Sequence, residues 1–186
     1  MMAYQNLTEK KLTSELIFDG KVLHIYRDTV SLPDGNTASR EYIRHIGAVC
    51  VVPLTENGQV MVERQYRYPI GKVTLEIPAG KLNTYDEPPT EAARRELKEE
   101  TGVEAGELID LGDFYPAAAY SDERIRIFLA RNLAFGQTQP DEDEFLSVEL
   151  ISLEELVREI LAGNVPDAKT QAAVLRVYFM MKEGLR

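Results

Sequence analysis

The sequence predicts an α/β sandwich, and two features of the chain favour this fold class. Strand-like segments fill the first part and return later, and segments with helical periodicity lie between and after them. At 186 residues the chain has the length of one well-cored domain with a small additional element. Strands and helices mixed at this density are typical of layered α/β proteins, so we expect helices packed against sheet.

The predicted strands begin near the N-terminus. The segment SELIFDGKVLHIYRDTVSLPDG alternates in places and ends in a turn that contains Pro33 and Gly35. ASREYIRHIGAVCVVPL follows, and we expect ENG to form a hairpin turn from which QVMVERQYR returns as an antiparallel strand. Further along, ELIDLGDFYP and RIRIFLARNL have the composition of strands.

Three segments predict helices. The first is AARRELKEETGV, residues 92–103, and Gly102 is the residue expected to cap its end. The second, SLEELVREILAG, carries Ser152 and Glu155 at the spacing of a capping box. The third follows Asp167, a suitable N-cap, and has apolar residues at helical intervals.

Composition argues against several classes of protein. The net charge is −10, and no lysine- or arginine-rich tract offsets it, so we expect no nucleic-acid partner. No apolar run approaches the roughly 20 residues that span a bilayer, so we expect no membrane association. The N-terminus lacks the apolar segment of a secretory signal, which predicts a cytoplasmic protein. The single cysteine, Cys50, lies in an apolar run and is expected to be a buried core thiol.

Acidic residues gather on one face of the first predicted helix. Glu96, Glu99 and Glu100 stand at i, i+3 and i+4, where like charges repel by roughly 0.2–0.5 kcal/mol per pair. A helical wheel places them at the border of the apolar side, whose members are Ala92, Ala93, Leu97 and Val103. A surface helix with ion pairs such as Glu91 to Arg95 is the alternative interpretation. It would put its glutamates well away from the core, so their placement indicates a binding function more strongly than their number does, and the flanking residues decide between the two interpretations.

The segment IPAGKLNTYDEPPTEAARRELKEETGV, residues 77–103, resembles the Nudix box. That signature is a glycine, five residues, a glutamate, seven residues, and then Arg-Glu-apolar-x-Glu-Glu-x-Gly-apolar. Its second half matches without a gap at Arg95, Glu96, Leu97, Glu99, Glu100, Gly102 and Val103. Glu87 stands eight positions before Arg95, as required, whereas Gly80 lies seven positions before Glu87 instead of six. The loop therefore carries one extra residue, which loops tolerate at little cost, and Asp86 is the alternative to Glu87.

The resemblance implies a Nudix-type α/β/α sandwich with a mixed sheet and an N-terminal antiparallel strand region. It implies that Glu96, Glu99, Glu100 and the backbone carbonyl of Ala79 bind Mg²⁺, with Mn²⁺ as the alternative. Oxygen ligands suit Mg²⁺, which would then hold a diphosphate. Gly80, Glu87, Arg95 and Gly102 are the structural residues of the box, and Arg95 orients the glutamates.

Three further segments, VERQYRYPIGKVTLEIPAGKL, GDFYPAAAYSDERIRIFLA and DEDEFLSVELISLEELV, are similar in order and spacing to the ADP-ribose pyrophosphatases. This implies Mg²⁺-dependent hydrolysis of ADP-ribose to AMP and ribose 5-phosphate by a homodimer. Residues 1–45 are then the dimerisation element and 46–186 the Nudix hydrolase domain. Ala118 and Ala119 stand where these enzymes often have Pro-Gly, so a broader nucleoside diphosphate sugar hydrolase is an alternative. A non-catalytic Nudix-fold nucleotide sensor is another, although such modules typically lose box glutamates.

The same resemblance suggests the catalytic base. In QPDEDEF the acids fall where the subgroup carries a catalytic glutamate on a loop, so Glu142 is the first candidate and Glu144 the second. A solvated acidic turn is the alternative for this segment.

Substrate-binding candidates follow from the subgroup as well. Arg67 is placed like its phosphate-contacting arginine, and Arg40 like one that reaches the substrate from the N-terminal region. Glu76 is expected either to face the ligand or to support a residue that contacts it, and the alternative is a plain strand residue. Tyr66 and Tyr68 are expected either to stack on the adenine ring of the substrate or to pack against other residues of the protein. The histidines, His24 and His45, have no metal-ligand partners nearby in sequence and are expected to be structural.

Overall fold

The computed structural model describes residues 7–138 and 145–184, which form two compact units. One unit comprises the chain up to His45 together with Ala117–Glu123, and the other comprises Ile46–Pro116 and the chain from Arg124 onward. None of the helices in the described ranges is long and apolar enough to cross a membrane.

The first unit is an antiparallel sheet of three strands, β1 (Lys10–Asp19), β2 (His24–Ser31) and β3 (Thr37–Arg44), in the order β1-β2-β3. Gly35 adopts φ 88° in the turn between β2 and β3, a conformation that glycine reaches without strain. Residues 117–123 join this unit because the Ile43 N–H donates to the Tyr120 carbonyl. Every residue of β1 is exposed, including the large apolar side chains of Leu12, Leu16 and Phe18.

The second unit contains seven strands and three helices. The strands are β4 (Ala48–Pro53), β5 (Gln59–Arg67), β6 (Lys72–Glu76), β7 (Ala79–Lys81), β8 (Val103–Phe114), β9 (Ile125–Phe135) and β10 (Leu146–Ser152). The helices are α1 (Pro89–Thr101), α2 (Leu153–Leu161) and α3 (Ala168–Lys182). A mixed sheet has the order β7-β4-β9-β8, with β4 and β9 parallel, and an antiparallel sheet has the order β10-β5-β6.

Strand β4 shows why this unit is a sandwich. All six of its residues are buried, as expected for a strand covered on both faces. Val49 and Val51 pack in a cluster with the α1 residue Leu97, whereas Cys50 and Val52 pack in a second cluster with residues of α2 and α3. Helices therefore cover both faces, and the predicted α/β/α sandwich with a mixed sheet is confirmed.

Cys50 is fully buried, as predicted. Burial raises the pKa of its thiol to about 12, because the charged thiolate loses its hydration there. This side chain is a core residue and no nucleophile at neutral pH.

The predicted hairpin turn at ENG is confirmed, because the Thr55 N–H donates to the Gln59 carbonyl across it, but the expected pairing of β4 with β5 is wrong. The two strands belong to different sheets and share only an isolated bridge between Leu54 and Val60. Gly58 does make the expected tight turn at φ 76°. However, β4 is paired along its edges with β7 and β9, and β5 with β6 and β10, so the chain changes sheet at the turn.

The helix boundaries differ slightly from prediction. The first helix runs from Pro89 to Thr101, whereas the prediction was 92–103, and Val103 already belongs to β8. Gly102 ends the helix at φ 70°, where an added Cβ would lie 2.7 Å from backbone atoms of residues 136 and 137. The predicted caps of the other helices are confirmed: Ser152 accepts from the Glu155 N–H at 3.2 Å and Asp167 from the Thr170 N–H at 2.9 Å.

Candidate active site

Strand β7 lies directly against α1, and Gly80 is what permits the approach. A Cβ built on Gly80 would stand 2.0 Å from the carboxyl carbon of Glu96, far inside any real contact distance. Any side chain at this position would therefore displace the glutamate. The box glycine keeps the backbone of β7 within reach of the acidic face of the helix.

Arg95 ties the acidic residues of the helix to the preceding loop. Its Nη1 donates to Glu96 at 2.7 Å and to Glu99 at 3.2 Å, while Nε donates to Glu87 at 3.2 Å. Its Nη2 also reaches the Lys81 carbonyl at 3.1 Å. Burial opposes the charge of Arg95, but the hydrogen bonds that it donates to Glu87 and Glu96 outweigh this effect and raise the pKa of the guanidinium.

Glu87, for which Asp86 was the alternative, is the acid that contacts Arg95. The Asn83 N–H donates to its carboxylate, and this bond together with Arg95 lowers the pKa of Glu87. The seven-residue spacing from Gly80 is thus accommodated in the loop without loss of the contact to Arg95.

Glu100 occupies the most buried position of the acidic face, with 4% of its surface exposed. Its Oε2 accepts a hydrogen bond from the Ala79 N–H at 3.0 Å, which joins the end of α1 to the start of β7. By contrast, 42% of the Glu99 side chain is exposed. We call Glu87, Arg95, Glu96, Glu99 and Glu100 the box cluster.

The box cluster offers four carboxylates against one cation, all on or beside one turn of helix. Carboxylate and carbonyl oxygens are the donors that Mg²⁺ and Mn²⁺ prefer, so the chemistry of the donor set fits a hard divalent cation. In residues 7–138 and 145–184 no three acidic, histidine or cysteine side chains converge as ligands. Arg95 holds one oxygen of each of two glutamates, Glu96 Oε1 and Glu99 Oε2, and so fixes the orientation of both carboxylates.

A second charged cluster surrounds Glu76, which is 1% exposed. Arg67 donates to both of its oxygens, from Nε at 2.7 Å and from Nη2 at 2.6 Å. The Thr74 hydroxyl donates to Oε1 at 2.5 Å, and the Lys169 ammonium donates to Oε2. Lys169 also lies 3.1 Å from Asp167. We call Arg67, Thr74, Glu76, Asp167 and Lys169 the buried cluster.

The buried cluster holds Glu76 ionised. Burial alone would raise its pKa, but the hydrogen bonds from Arg67 and the charge of Lys169 outweigh that effect and lower the pKa to about 2. Glu76 is therefore not a plain strand residue, because its carboxylate organises the Arg67 guanidinium.

Sequence reasoning missed Lys169, Thr74 and the second role of Asp167. One signal was present: Lys169 is the second residue of α3, where the helix dipole disfavours a cation. A lysine in the first turn of a helix suggests a carboxylate partner, but the position of that partner, 93 residues earlier in the chain, could not be inferred.

The remaining candidates are placed as follows. In the N-terminal unit Arg40 donates to Glu9 through Nε at 2.9 Å. Tyr66 and Tyr68 are 57% and 85% exposed, so neither is a core packing residue. His24 contacts Asp19 at 2.6 Å. The two base candidates, Glu142 and Glu144, lie outside the described residues.

Comparison with known proteins agrees with this geometry. Residues 44–173 match the NUDIX domain family, and residues 9–43 match the nucleoside diphosphate sugar hydrolase N-terminal domain. An ADP-ribose pyrophosphatase of Bacillus subtilis (strain 168) is 39% identical over 98% of each chain. A methanol dehydrogenase activator of Bacillus methanolicus is 38% identical over 96% of each.

Among solved structures, that of an ADP compounds hydrolase superposes with a TM-score of 0.84 over 98% of this chain and 100% of that one. At 23% identity this likeness shows a shared fold. The family match covers more than half of the chain and includes every residue of both clusters. The chain therefore belongs to the Nudix family, as a pyrophosphohydrolase of the subgroup that the ADP-ribose pyrophosphatases represent.

Proposed function

We propose that the protein hydrolyses the diphosphate of ADP-ribose, adding one water to give AMP and ribose 5-phosphate. The observation that carries the proposal is the box cluster, in which Arg95 holds three carboxylates and a fourth, that of Glu100, is bonded to the Ala79 N–H beside the glycine of β7. Near full-length similarity to an ADP-ribose pyrophosphatase supports this substrate. The coarser activity, hydrolysis of nucleoside diphosphate derivatives, follows from family membership.

Mg²⁺ is the proposed cofactor, and Mn²⁺ is the alternative. Glu96, Glu99, Glu100 and the Ala79 carbonyl would hold it. When bound, such a cation neutralises diphosphate charge and makes a water more acidic. The chain's own contribution is to gather the carboxylates: Gly80 leaves room for Glu96, and the Ala79 N–H holds Glu100.

Arg67 is the proposed phosphate-binding side chain. Its partner Glu76 stands three residues before Ala79, which places the two Cα atoms within about 11 Å of each other even in a fully extended chain. The guanidinium that Glu76 holds is therefore proposed to contact a diphosphate bound at the box cluster. Glu76 orients the arginine by its two hydrogen bonds, and Arg40 is proposed to reach the substrate from the N-terminal region.

Glu142 is proposed as the base that takes a proton from the attacking water, with Glu144 as the alternative. Neutralising the base should lower turnover and leave cation-dependent substrate binding nearly unchanged, because the change removes help given only in the transition state. Turnover and Mg²⁺ titrations of Glu142→Gln, Glu144→Gln and the double variant, with calorimetry on a non-hydrolysable ADP-ribose analogue, test this. Normal turnover by the double variant would exclude both glutamates as the base.

A substrate screen tests the function directly. We expect ADP-ribose to be hydrolysed with the highest kcat/KM among ADP-ribose, GDP-mannose, UDP-glucose, NADH and diadenosine polyphosphates, each assayed with Mg²⁺ and with Mn²⁺. Chromatography should identify AMP and ribose 5-phosphate as products. Equal or faster cleavage of GDP-mannose or UDP-glucose would favour the broader nucleoside diphosphate sugar hydrolase, which the match of residues 9–43 also supports.

The N-terminal unit is proposed to form a homodimer, in which residues 1–45 of one chain approach the pocket of the other. Strand β1 supports this, because Leu12, Leu16 and Phe18 are about half exposed along a sheet edge, and exposed apolar strands mark interfaces. Sedimentation of an active monomer at micromolar concentration would contradict the proposal. The cytoplasmic location stays a prediction.

A further inference from the structure

Lys169 is buried, with 9% of its surface exposed, in the first turn of α3. A cation there is disfavoured both by the positive end of the helix dipole and by loss of hydration. Its ammonium is held between two carboxylates, as it donates to Glu76 Oε2 and lies 3.1 Å from Asp167 Oδ2. The two carboxylates raise the pKa of Lys169 although burial lowers it, so the lysine stays charged.

Glu76 connects Lys169 to Arg67. Its Oε2 accepts from both Lys169 and Arg67 Nη2, and its Oε1 accepts from Arg67 Nε and Thr74. The carboxylate is therefore fixed on one side by Lys169 and Thr74 and holds the arginine on the other.

One edge of the Arg67 guanidinium remains available. Nε and Nη2 are engaged by Glu76, while Nη1 has no hydrogen-bond partner among residues 7–138 and 145–184. The side chain is 40% exposed, so this edge can meet an anion from solvent. A guanidinium fixed along one edge presents the other in a defined direction, which suits phosphate recognition.

We propose that Lys169 is a positioning residue for substrate binding: it holds Glu76 in the orientation that presents the unoccupied edge of Arg67 to a phosphate of the substrate. This inference rests on the proposed function, in which Arg67 binds the diphosphate. Without the ammonium, Glu76 and Asp167 would lose the cation between them and repel each other. Glu76 would then turn, and Arg67 would turn with it.

The first test is the kinetics of Lys169→Met with ADP-ribose. KM should rise about tenfold, the size expected when a charge-assisted hydrogen bond to the substrate is weakened, whereas kcat should stay within about twofold. Lys182→Met is the matched control, because Lys182 is an exposed lysine in the last turn of the same helix and lies over Tyr178. The control should leave both constants unchanged, and Lys169→Arg should recover part of the loss.

A double-mutant cycle separates positioning from a merely structural role. If Lys169 acts through Arg67, then Lys169→Met should raise KM no further in an Arg67→Met background. Equal increases in both backgrounds would overturn the proposal. Should Lys169→Met fail to fold, Thr74→Val replaces it, since it removes the other support of Glu76 with little change of shape. It should raise KM in the same direction, and an unchanged KM would equally overturn the proposal.

A measurement without substrate tests the positioning role of Lys169 separately from the proposed hydrolysis of ADP-ribose. Hydrogen exchange of the Arg67 Nε–H, followed by nuclear magnetic resonance, should become severalfold faster in Lys169→Met and stay unchanged in Lys182→Met. If the wild-type protein fails to cleave ADP-ribose but this exchange responds, the proposed substrate is wrong and the coupling of Lys169 to Arg67 stands. If cleavage is normal and the exchange does not respond, the positioning role is wrong.

Discussion

The box cluster and the buried cluster both combine arginine with glutamate, but their charge balance and burial differ. The box cluster has four carboxylates and one cationic side chain, Arg95, and 42% of the Glu99 side chain is exposed. The buried cluster sets Glu76 and Asp167 against Arg67 and Lys169, and its central carboxylate is almost fully enclosed. An excess of carboxylates attracts cations, whereas a balanced buried network fixes geometry. Arginine and glutamate thus form a cation-attracting site in the box cluster, whereas in the buried cluster they fix the orientation of one another.

From this difference we expect that loss of a charge in the box cluster lowers turnover more than it lowers the stability of the fold. Glu100→Gln should lower turnover by about a thousandfold, corresponding to the several kcal/mol that a bound cation contributes to transition-state stabilisation. The amide keeps the shape of Glu100 but not its charge, and the fold should persist. Steady-state kinetics over a Mg²⁺ series measures the effect, with Glu91→Gln on the exposed side of α1 as control. Near wild-type turnover at limiting Mg²⁺ would refute the assignment.

The buried cluster, in turn, should govern stability. At neutral pH Glu76→Gln should reduce the free energy of unfolding by about 3 kcal/mol, since Arg67 and Lys169 lose their shared counter-charge. Urea unfolding of both proteins measures the difference.

The stability difference between wild type and Glu76→Gln should also depend on pH, in a direction that follows from the pKa of Glu76. The folded-state pKa of Glu76 is about 2, below its ordinary 4.5, so its stabilisation is present above pH 4.5 and is lost as the pH falls toward 2. The stability gap between wild type and Glu76→Gln should therefore close across this range. A gap that stays constant would show that ionisation of Glu76 does not stabilise the fold.

Arg95→Lys tests whether the box cluster depends on a planar guanidinium. One ammonium cannot reach Glu87, Glu96 and Glu99 together, so we expect a loss of about 1–2 kcal/mol in stability. The glutamates should also become less ordered, which raises the Mg²⁺ concentration for half-maximal activity, and excess Mg²⁺ should restore much of the turnover. An unchanged Mg²⁺ requirement would mean that Arg95 does not organise the glutamates.

The smallest effect is expected for an exposed pair of the same chemistry. Arg64 donates to Glu149 at 2.8 Å between β5 and β10, with 49% and 42% of the side chains exposed. Arg64→Ala should change the free energy of unfolding by less than about 0.5 kcal/mol, because solvent screens such pairs. Thermal unfolding beside Glu76→Gln checks this. If both variants lose a comparable amount of free energy of unfolding, burial does not explain why the Glu76 cluster stabilises the fold more than an exposed pair does.

Local patterns in the sequence were sufficient to predict the box helix and its acidic face. The spacing of Glu96, Glu99 and Glu100 beside Leu97 is an arrangement within two turns, and Gly102 ends the helix through its own backbone conformation. The caps at Ser152 and Asp167 were predictable for the same reason, because each side chain bonds a backbone N–H three residues away.

Partners distant in the chain were not predictable. The ENG turn was recognised, but the sheet that β5 joins depends on β6 and β10, and the expected pairing with β4 was wrong. Lys169 in the first turn of α3 likewise indicates a carboxylate partner, but its partner Glu76 lies 93 residues earlier and could not be identified from the sequence.

The sequence by itself determined the family, the fold class and the residues of the box, because periodicity, caps and motif spacing depend on neighbours within a few positions. Only the tertiary structure decided which carboxylates share a cation, which strand edge each segment pairs with, and how Arg67 is oriented. Strand pairing and buried ion pairs join residues far apart in the chain, and burial sets their strength, so neither can be deduced from local pattern.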